Sequence, residues 1–231
     1  MKRSLLTALA CSTAVLAAVG VASPALAATP APRSLATLQA AGQADTASRI
    51  TALGKAIPRV TSNKYLSSGD RSQLLATLNG DLAAMQSLQT KIAADTDVAT
   101  AKADVQSIFT GYRVYAVAIP QSLYAASAGA ITDSALPALG AAQKALAAAL
   151  AGPDKSKDTP AIDAQMADLS AQITTAQNSI AGVSAFALSV TPAQFNANHA
   201  VLTATRASVK AAAAAAKAAS TDAKAVRAAL K

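Results

Sequence analysis

Pro160-Ala-Ile-Asp-Ala-Gln-Met-Ala-Asp-Leu-Ser-Ala-Gln-Ile-Thr-Thr-Ala-Gln-Asn-Ser-Ile-Ala-Gly-Val183 decides the fold. Its apolar residues are Ile162, Met166, Leu169, Ile173, Ala176, Ile180 and Val183, an unbroken heptad. That period belongs to a helix with one buried stripe, and such a stripe requires a partner helix. Upstream, Gly152 stops a preceding helix and Lys155 to Asp158 is charged. Thr159-Pro160 then supplies an N-cap and a first helical residue. Residues 152–160 therefore read as a linker. Downstream, Thr191-Pro192 repeats the start signal. One helix is predicted from there to the C-terminus, with a seam of Phe195, Asn198, Leu202, Thr205, Val209, Ala212, Ala216, Ala219, Ala223, Val226 and Leu230. Residues 160–231 read as a helical hairpin.

Residues 34–151 read as three more helices, over about 34–63, 67–94 and 97–151. Pro58 and Pro120 fall inside two of them and should kink them, since each removes a hydrogen bond and crowds the preceding turn. Ser67 is a candidate cap with Asp70 reaching back to it. In the third helix Val98, Ala101, Val105, Ile108, Tyr112, Tyr115 and Ile119 keep the spacing. The fold class expected is all-α: an elongated antiparallel helical bundle with coiled-coil-like seams and about five helices.

Composition agrees with this. Of 231 residues 65 are Ala, 3% are aromatic, Trp is absent and all 12 acidic residues are Asp. So Ala-rich a chain argues against a β-sandwich. One His and one Cys exclude a His/Cys zinc site and a disulfide framework. Lys2 and Arg3, an apolar run from Leu5 to Val21, the Pro24 break and Ala25-Leu26-Ala27 form a Sec-type secretory signal over residues 1–27, with 28–33 as a flexible lead. A lipoprotein signal at Cys11 is the rival, but Leu9 breaks its pattern and the apolar run continues beyond Cys11. Cleavage removes the single Cys and leaves 18 basic against 12 acidic residues, net +6. The uncharged stretch Val114 to Thr132 holds Pro120, Gln121 and two tyrosines. It reads as a buried helix, so no transmembrane helix is expected in the mature chain.

Two clusters stand out. Tyr112, Arg113, Tyr115 and Tyr124 sit around Pro120 and form a candidate partner patch, although tyrosines filling a core layer with their hydroxyls near water are the favoured explanation, since Tyr112 and Tyr115 fall on the seam. Lys210, Lys217, Lys224 and Lys231 recur every seven residues with Arg206 and Arg227 beside them. From His199 to the end, six Lys/Arg face one Asp, net +5. A solvated face of an Ala-rich helix accounts for this stripe; a site for an anionic envelope polymer or surface is the functional alternative. His199 has no nucleophile or carboxylate motif around it. Asp95 and Asp97 suit helix capping better than calcium, which wants six or more oxygens. No phosphate loop, redox motif or nucleophile elbow is present, and no catalytic, cofactor-binding or metal-binding residue is assigned.

Ala94-Asp95-Thr96-Asp97, Lys102, Asp104, Tyr112-Arg113-Val114-Tyr115-Ala116 and Pro120 together resemble a group of uncharacterised secreted bacterial proteins, chiefly actinobacterial, of helical-bundle type. The resemblance implies secretion and a helical fold, and transfers no activity or site. The expected function is a secreted, non-enzymatic structural or interaction protein of the cell envelope or extracellular space that presents helix faces to a protein partner. The alternative is a polyanion-binding module using the basic C-terminal helix, and a hydrolase of unusual chemistry is the remote third. Nucleic acid is not an expected partner of an exported protein. Intact-mass analysis of the exported protein should give a chain beginning Ala28-Thr-Pro-Ala-Pro. A lipid on an N-terminal Cys11 would refute both the cleavage site and the cysteine-free mature chain.

Overall fold

A computed structural model describes residues 33–231. The expected signal, Cys11 and the lead up to residue 32 lie outside the described residues. Among the described residues the chain is an all-α helical bundle with no strand. Helix α1 covers Leu35–Ser62 and α2 covers Ser68–Ala94. Ser34 and Ser67 cap them by accepting from the amides of Thr37 and Asp70. Asp70 does not reach back to its cap as expected from sequence. Its carboxylate accepts from Ser184 at 2.7 Å instead and so joins two distant parts of the chain. The helices run antiparallel around Leu53, Leu74, Leu78, Met85 and Ile92, all 0–1% exposed. Gly42 is needed here, because a Cβ would stand 2.8 Å from Val105 and 2.9 Å from Ile92.

The expected single helix over 97–151 is corrected. Helix α3 covers Val98–Ser107 and is capped by Asp97, which accepts from the Thr100 amide at 2.9 Å. Two wide turns of π type come next, Ile108–Tyr112 and Val114–Ala118, and between them Arg113 is left-handed with φ 50°. Helix α4 then covers Ile119–Ala130, a third wide turn covers Ile131–Ala135, and α5 covers Leu136–Ala151. The interruption is thus at Arg113 and not at Pro120. Pro120 lacks an N–H, and its ring crowds the carbonyl four residues back. Widening the turn before it, with Ile119 N–H reaching Val114 O, relieves that clash. The same device precedes Pro137, where Leu136 N–H reaches Ile131 O. Helix α1, by contrast, continues through Pro58 to Ser62.

Helix α6 covers Pro160–Ile180 and ends before Val183, because Gly182 turns left-handed at φ 70°. Val183 starts α7, Val183–Ser189, yet stays in the same core at 6% exposed. The expected helix from residue 192 to the end is also corrected. Helix α8 is only Pro192–Ala197; the Asn198 side chain then accepts from the Ala200 amide, and α9 covers Thr203–Ala229. Phe195 and Asn198 therefore leave the seam. Among the described residues the longest α-helix is α1 with 28 residues, about 42 Å. Helices α6 and α9 form the most extensive pair. They are antiparallel, since Lys157 before α6 donates to the Leu230 carbonyl at the end of α9. Lys157 also pairs with Asp154 at 3.2 Å within the linker.

Two cores result. Leu53, Leu78, Ile108, Val114 and Ala125 belong to the first; Ile131, Leu139, Leu169, Ile173 and Ala216 belong to the second. Helix α4 contributes to both, with Ala125 in one and Ala128 in the other. Its Gly129 lies on the Tyr65 carbonyl so closely that a Cβ would be 1.8 Å from the oxygen. Buried Gln121 donates to the carbonyls of Ala187 (2.9 Å) and Val190 (2.6 Å), and Gln73 donates to that of Leu188 at 3.1 Å. These bonds hold α7 against α4 and α2.

Asp81 on α2 is half-buried, and its Oδ2 has no partner. Burial pushes its carboxyl up to about 6 from 3.8. The fold therefore favours the protonated acid. The stability this proton confers is complete below about 3.8 and is lost as pH rises through about 6. Asp81→Asn should stabilise the protein above pH 6 by on the order of 1 kcal/mol, once solvent screening at a half-open site is allowed for. The gain should shrink towards zero below pH 4. Urea unfolding at about pH 7.5 and 3.5 tests this, and an equal gain at both would show that burial of the charge is not the cause.

Candidate functional site

Helix α9 owes its shape to a division between small and long residues. Thr205, Ala212, Ala215, Ala216, Ala219, Ala223 and Val226 are buried at 0–7% exposed. Arg206, Lys210, Lys217, Lys224, Arg227 and Lys231 are all exposed. At about 100° per residue the five cations on α9 fall within an arc of about 100°, and the buried residues centre about 120° away; Lys231 lies just beyond the helix end. From Arg206 to Arg227 the stripe runs about 30 Å. Ion pairs among the described residues are Arg49–Asp45, Lys91–Asp104 and Lys157–Asp154, so none of the six is neutralised by one. Asp222, the acid on this helix, lies on the side away from the stripe.

The four residues around Pro120 do not form one patch. Tyr112 is half-buried against the first core. Tyr124 joins Phe195 and Val201 around Val117, Val190 and Leu202. Tyr115 is exposed on the α1 side, its hydroxyl 2.8 Å from Ser48 Oγ. Arg113 holds the break itself. Its Nε donates to Asn196 Oδ1 at 2.7 Å, and its guanidinium lies 5.2 Å from the Phe195 ring centroid. Asn196 in turn donates to the Thr110 carbonyl at 2.8 Å. Helix α8 thus straps both sides of the left-handed residue. A capping box fixes it, with Thr191 and Gln194 bonded in both directions. His199 is exposed and packs edge-on to Phe195, centroids 5.1 Å apart.

Arg49, Phe109 and Asn196 matter here and escaped the sequence reading. The Arg49 side chain is 9% exposed. It donates to the Asp45 carbonyl at 2.9 Å and carboxylate at 3.2 Å, and lies 4.6 Å from the Phe109 centroid and 5.1 Å from that of Tyr115. Only the Asp45/Arg49 spacing of four signals this in the sequence. Phe109 and Tyr115 are six apart, which in a regular helix sets them on different faces.

At the α2–α3 turn Asp97 is spent as a cap. Hydrogen bonds from the Thr100 hydroxyl and amide hold its carboxyl below the usual range. Burial, then repulsion from Asp104, pushes Asp95 up. A hydrogen bond from Lys91 to Asp104 at 2.8 Å raises the Lys91 ammonium. Among the described residues no cluster of three His or Asp side chains is placed to hold a metal ion. Two open clefts on the described surface are of interest. One, about 440 Å³, lies between α1 and Tyr115; the other, about 760 Å³, lies where Tyr65, Asp70, Asp133 and Gln177 meet.

Compared with known protein families, with curated proteins and with solved structures, the chain matches none.

Left-handed backbone costs a non-glycine residue about 1–2 kcal/mol. Arg113→Ala and Arg113→Gly both remove the strap, but only Gly also removes that cost. Arg113→Gly should therefore be more stable than Arg113→Ala by about 1 kcal/mol, the reverse of the order in a helix interior. Urea unfolding decides; a more stable Ala variant would mean that residue 113 is helical in solution.

Proposed function

We propose that the protein is an exported, non-enzymatic helical-bundle module that lies along an anionic envelope polymer through α9. The observation that carries this reading is the stripe: five exposed cations on one arc of α9, with Lys231 just beyond its end, none with an ion-pair partner among the described residues. Export rests on the basic start, apolar run and small-residue cleavage motif of residues 1–27. The absence of catalysis rests on the lack of a nucleophile–base–orienter set around His199 or the aspartates.

A polymer following the helix axis would meet a positive charge every one or two turns. Each exposed attraction is weak and fades beyond about 8 Å in physiological salt. Binding by such a surface is modest, roughly additive in the lysines, and salt-sensitive. A second reading, presentation of helix faces to a protein partner, is supported by Leu123 at 58% and Phe186 at 48% exposed on the paired helices α4 and α7.

Retention on an immobilised anionic polymer separates the two. Wild type should be retained at low salt and released at high salt. Lys210→Gln, Lys217→Gln and Lys224→Gln combined should abolish retention with helicity unchanged. Co-elution of wild type and the triple variant at low salt would make the stripe a merely solvated face and leave the protein-partner reading.

A further inference from the structure

We infer that the cleft between α1 and Tyr115 is a subsite for one acidic sugar unit, separate from α9. Ser48, Thr51, Ala52 and Lys55 lie three, four and seven residues apart, so they form one ridge of α1. Tyr115 leans over this ridge from the wide turn Val114–Ala118 and stays 47% exposed. Together with Ala47 these residues line the cleft of about 440 Å³.

Tyr115 is exposed but not free. Its hydroxyl is fixed by Ser48 at 2.8 Å. Its ring is braced by the Arg49 guanidinium, 5.1 Å from the centroid, and that guanidinium is itself held by Asp45 and backed by Phe109. An exposed aromatic ring normally costs a ligand the entropy of ordering it; here the protein has already ordered it. The wide turns explain the placement, since they carry Tyr115 off the third-helix seam and onto the α1 side.

The lining fits a sugar ring. A pyranose offers a C–H face suited to an aromatic plane and a rim of hydroxyls suited to hydroxyl partners. The cleft supplies one ring and the hydroxyls of Ser48, Thr51 and Tyr115. Ala47 and Ala52 leave the floor open to a flat ligand. Lys55 is the one charged residue in the lining, and exposed Arg59 lies one turn further along the same ridge. No acidic residue lines the cleft. This charge favours a carboxylate-bearing sugar over a neutral or cationic one. A peptide would lack main-chain partners, because the α1 backbone is engaged in its own helix.

The test uses the full chain carrying the three α9 Lys→Gln substitutions, so that the stripe is silent. Trigalacturonate and its fully methyl-esterified counterpart are titrated against it by NMR. Trigalacturonate should shift amides of residues 47–55 and 115 with millimolar affinity, and the ester should bind about fivefold more weakly. Lys55→Gln should bring the two ligands to equal affinity. Tyr115→Leu should weaken both about tenfold, in line with the loss of a stacking ring. Ala47→Glu sits on the exposed ridge outside the core and should abolish trigalacturonate binding with the circular dichroism spectrum unchanged, which guards against misfolding as the explanation. Absence of shifts in residues 47–55, an ester that binds as well as the acid, or indifference to Ala47→Glu would each overturn the inference. Binding seen in wild type and lost in the stripe variant would also overturn it while leaving the α9 reading intact.

Discussion

Alanine in place of large side chains constrains everything else in this bundle. A buried Ala removes little apolar area from water, so each helix contact is weak unless backbones come close. The chain meets this by close approach. Five alanines of α9 lie against the Ile and Leu side of α6, Gly42 admits Ile92 and Val105, and Gly129 takes the Tyr65 carbonyl where no Cβ fits. Close contact through small residues fixes distance but specifies register poorly. Register comes from polar groups placed between elements. Gln39 and Gln43 reach carbonyls at the far end of α2, Gln121 ties α4 to α7, and Asp70 binds Ser184. Buried or half-buried, each such group is costly to leave unpaired, so each selects one alignment.

Proline in the long third segment imposes the other departure from regular helix. Three wide turns appear, two before Pro120 and one before Pro137. Each adds a residue to a turn and rotates the helix after it relative to the helix before it. Between the first two wide turns Arg113 takes a left-handed conformation that an arginine adopts only when its surroundings enforce it. Helix α8 supplies that enforcement, and this explains why a six-residue helix between α7 and α9 carries a complete capping box. The segment Val98–Ala151 is long and apolar enough to cross a membrane. In this fold its buried apolar residues are divided among the cores, against α1 and α2 on one side and α6 and α9 on the other, with Val117 in the small third cluster, while Phe109 and Leu123 are exposed.

The all-α bundle was legible because heptads such as Ile162 to Ile180 admit one period and no strand reading. The α6 and α8 starts at Thr159-Pro160 and Thr191-Pro192 were legible because proline and a capping hydroxyl act within one turn. The illegible features depend on partners far away in sequence. Nothing near Arg113 requires a left-handed residue; Asn196 and Phe195, more than eighty residues on, hold it there. The seam Val98 to Ile119 looked continuous because period alone cannot register a turn widened by one residue. The same blindness grouped Tyr112, Arg113, Tyr115 and Tyr124 into one patch, when two wide turns send them to separate environments. The α9 stripe was readable in outline, since a seven-residue repeat of lysines stays on one side of any helix.

The Ala seam and the cation stripe of α9 are linked physically. A helix that packs through alanine gains little from tertiary contact and must supply its own tendency to be helical. Alanine, lysine and arginine are among the residues that do so best. Lysine and arginine add length on the outer side without demanding a core position, and those near the C-terminus interact favourably with the helix dipole. One choice of residues therefore gives a thin packing face, a self-supporting helix and a row of extended positive charges. Stability alone explains why such residues are there. It does not explain why α6, which faces the same core and also has an exposed outer side, carries no Lys or Arg and only Asp163 and Asp168. Ala-rich helices need solvated residues of some kind, but nothing in their packing sorts cations onto one helix of a pair and anions onto the other. That segregation gives the molecule a positive edge along α9, and an edge of one sign is a feature that an oppositely charged surface can read.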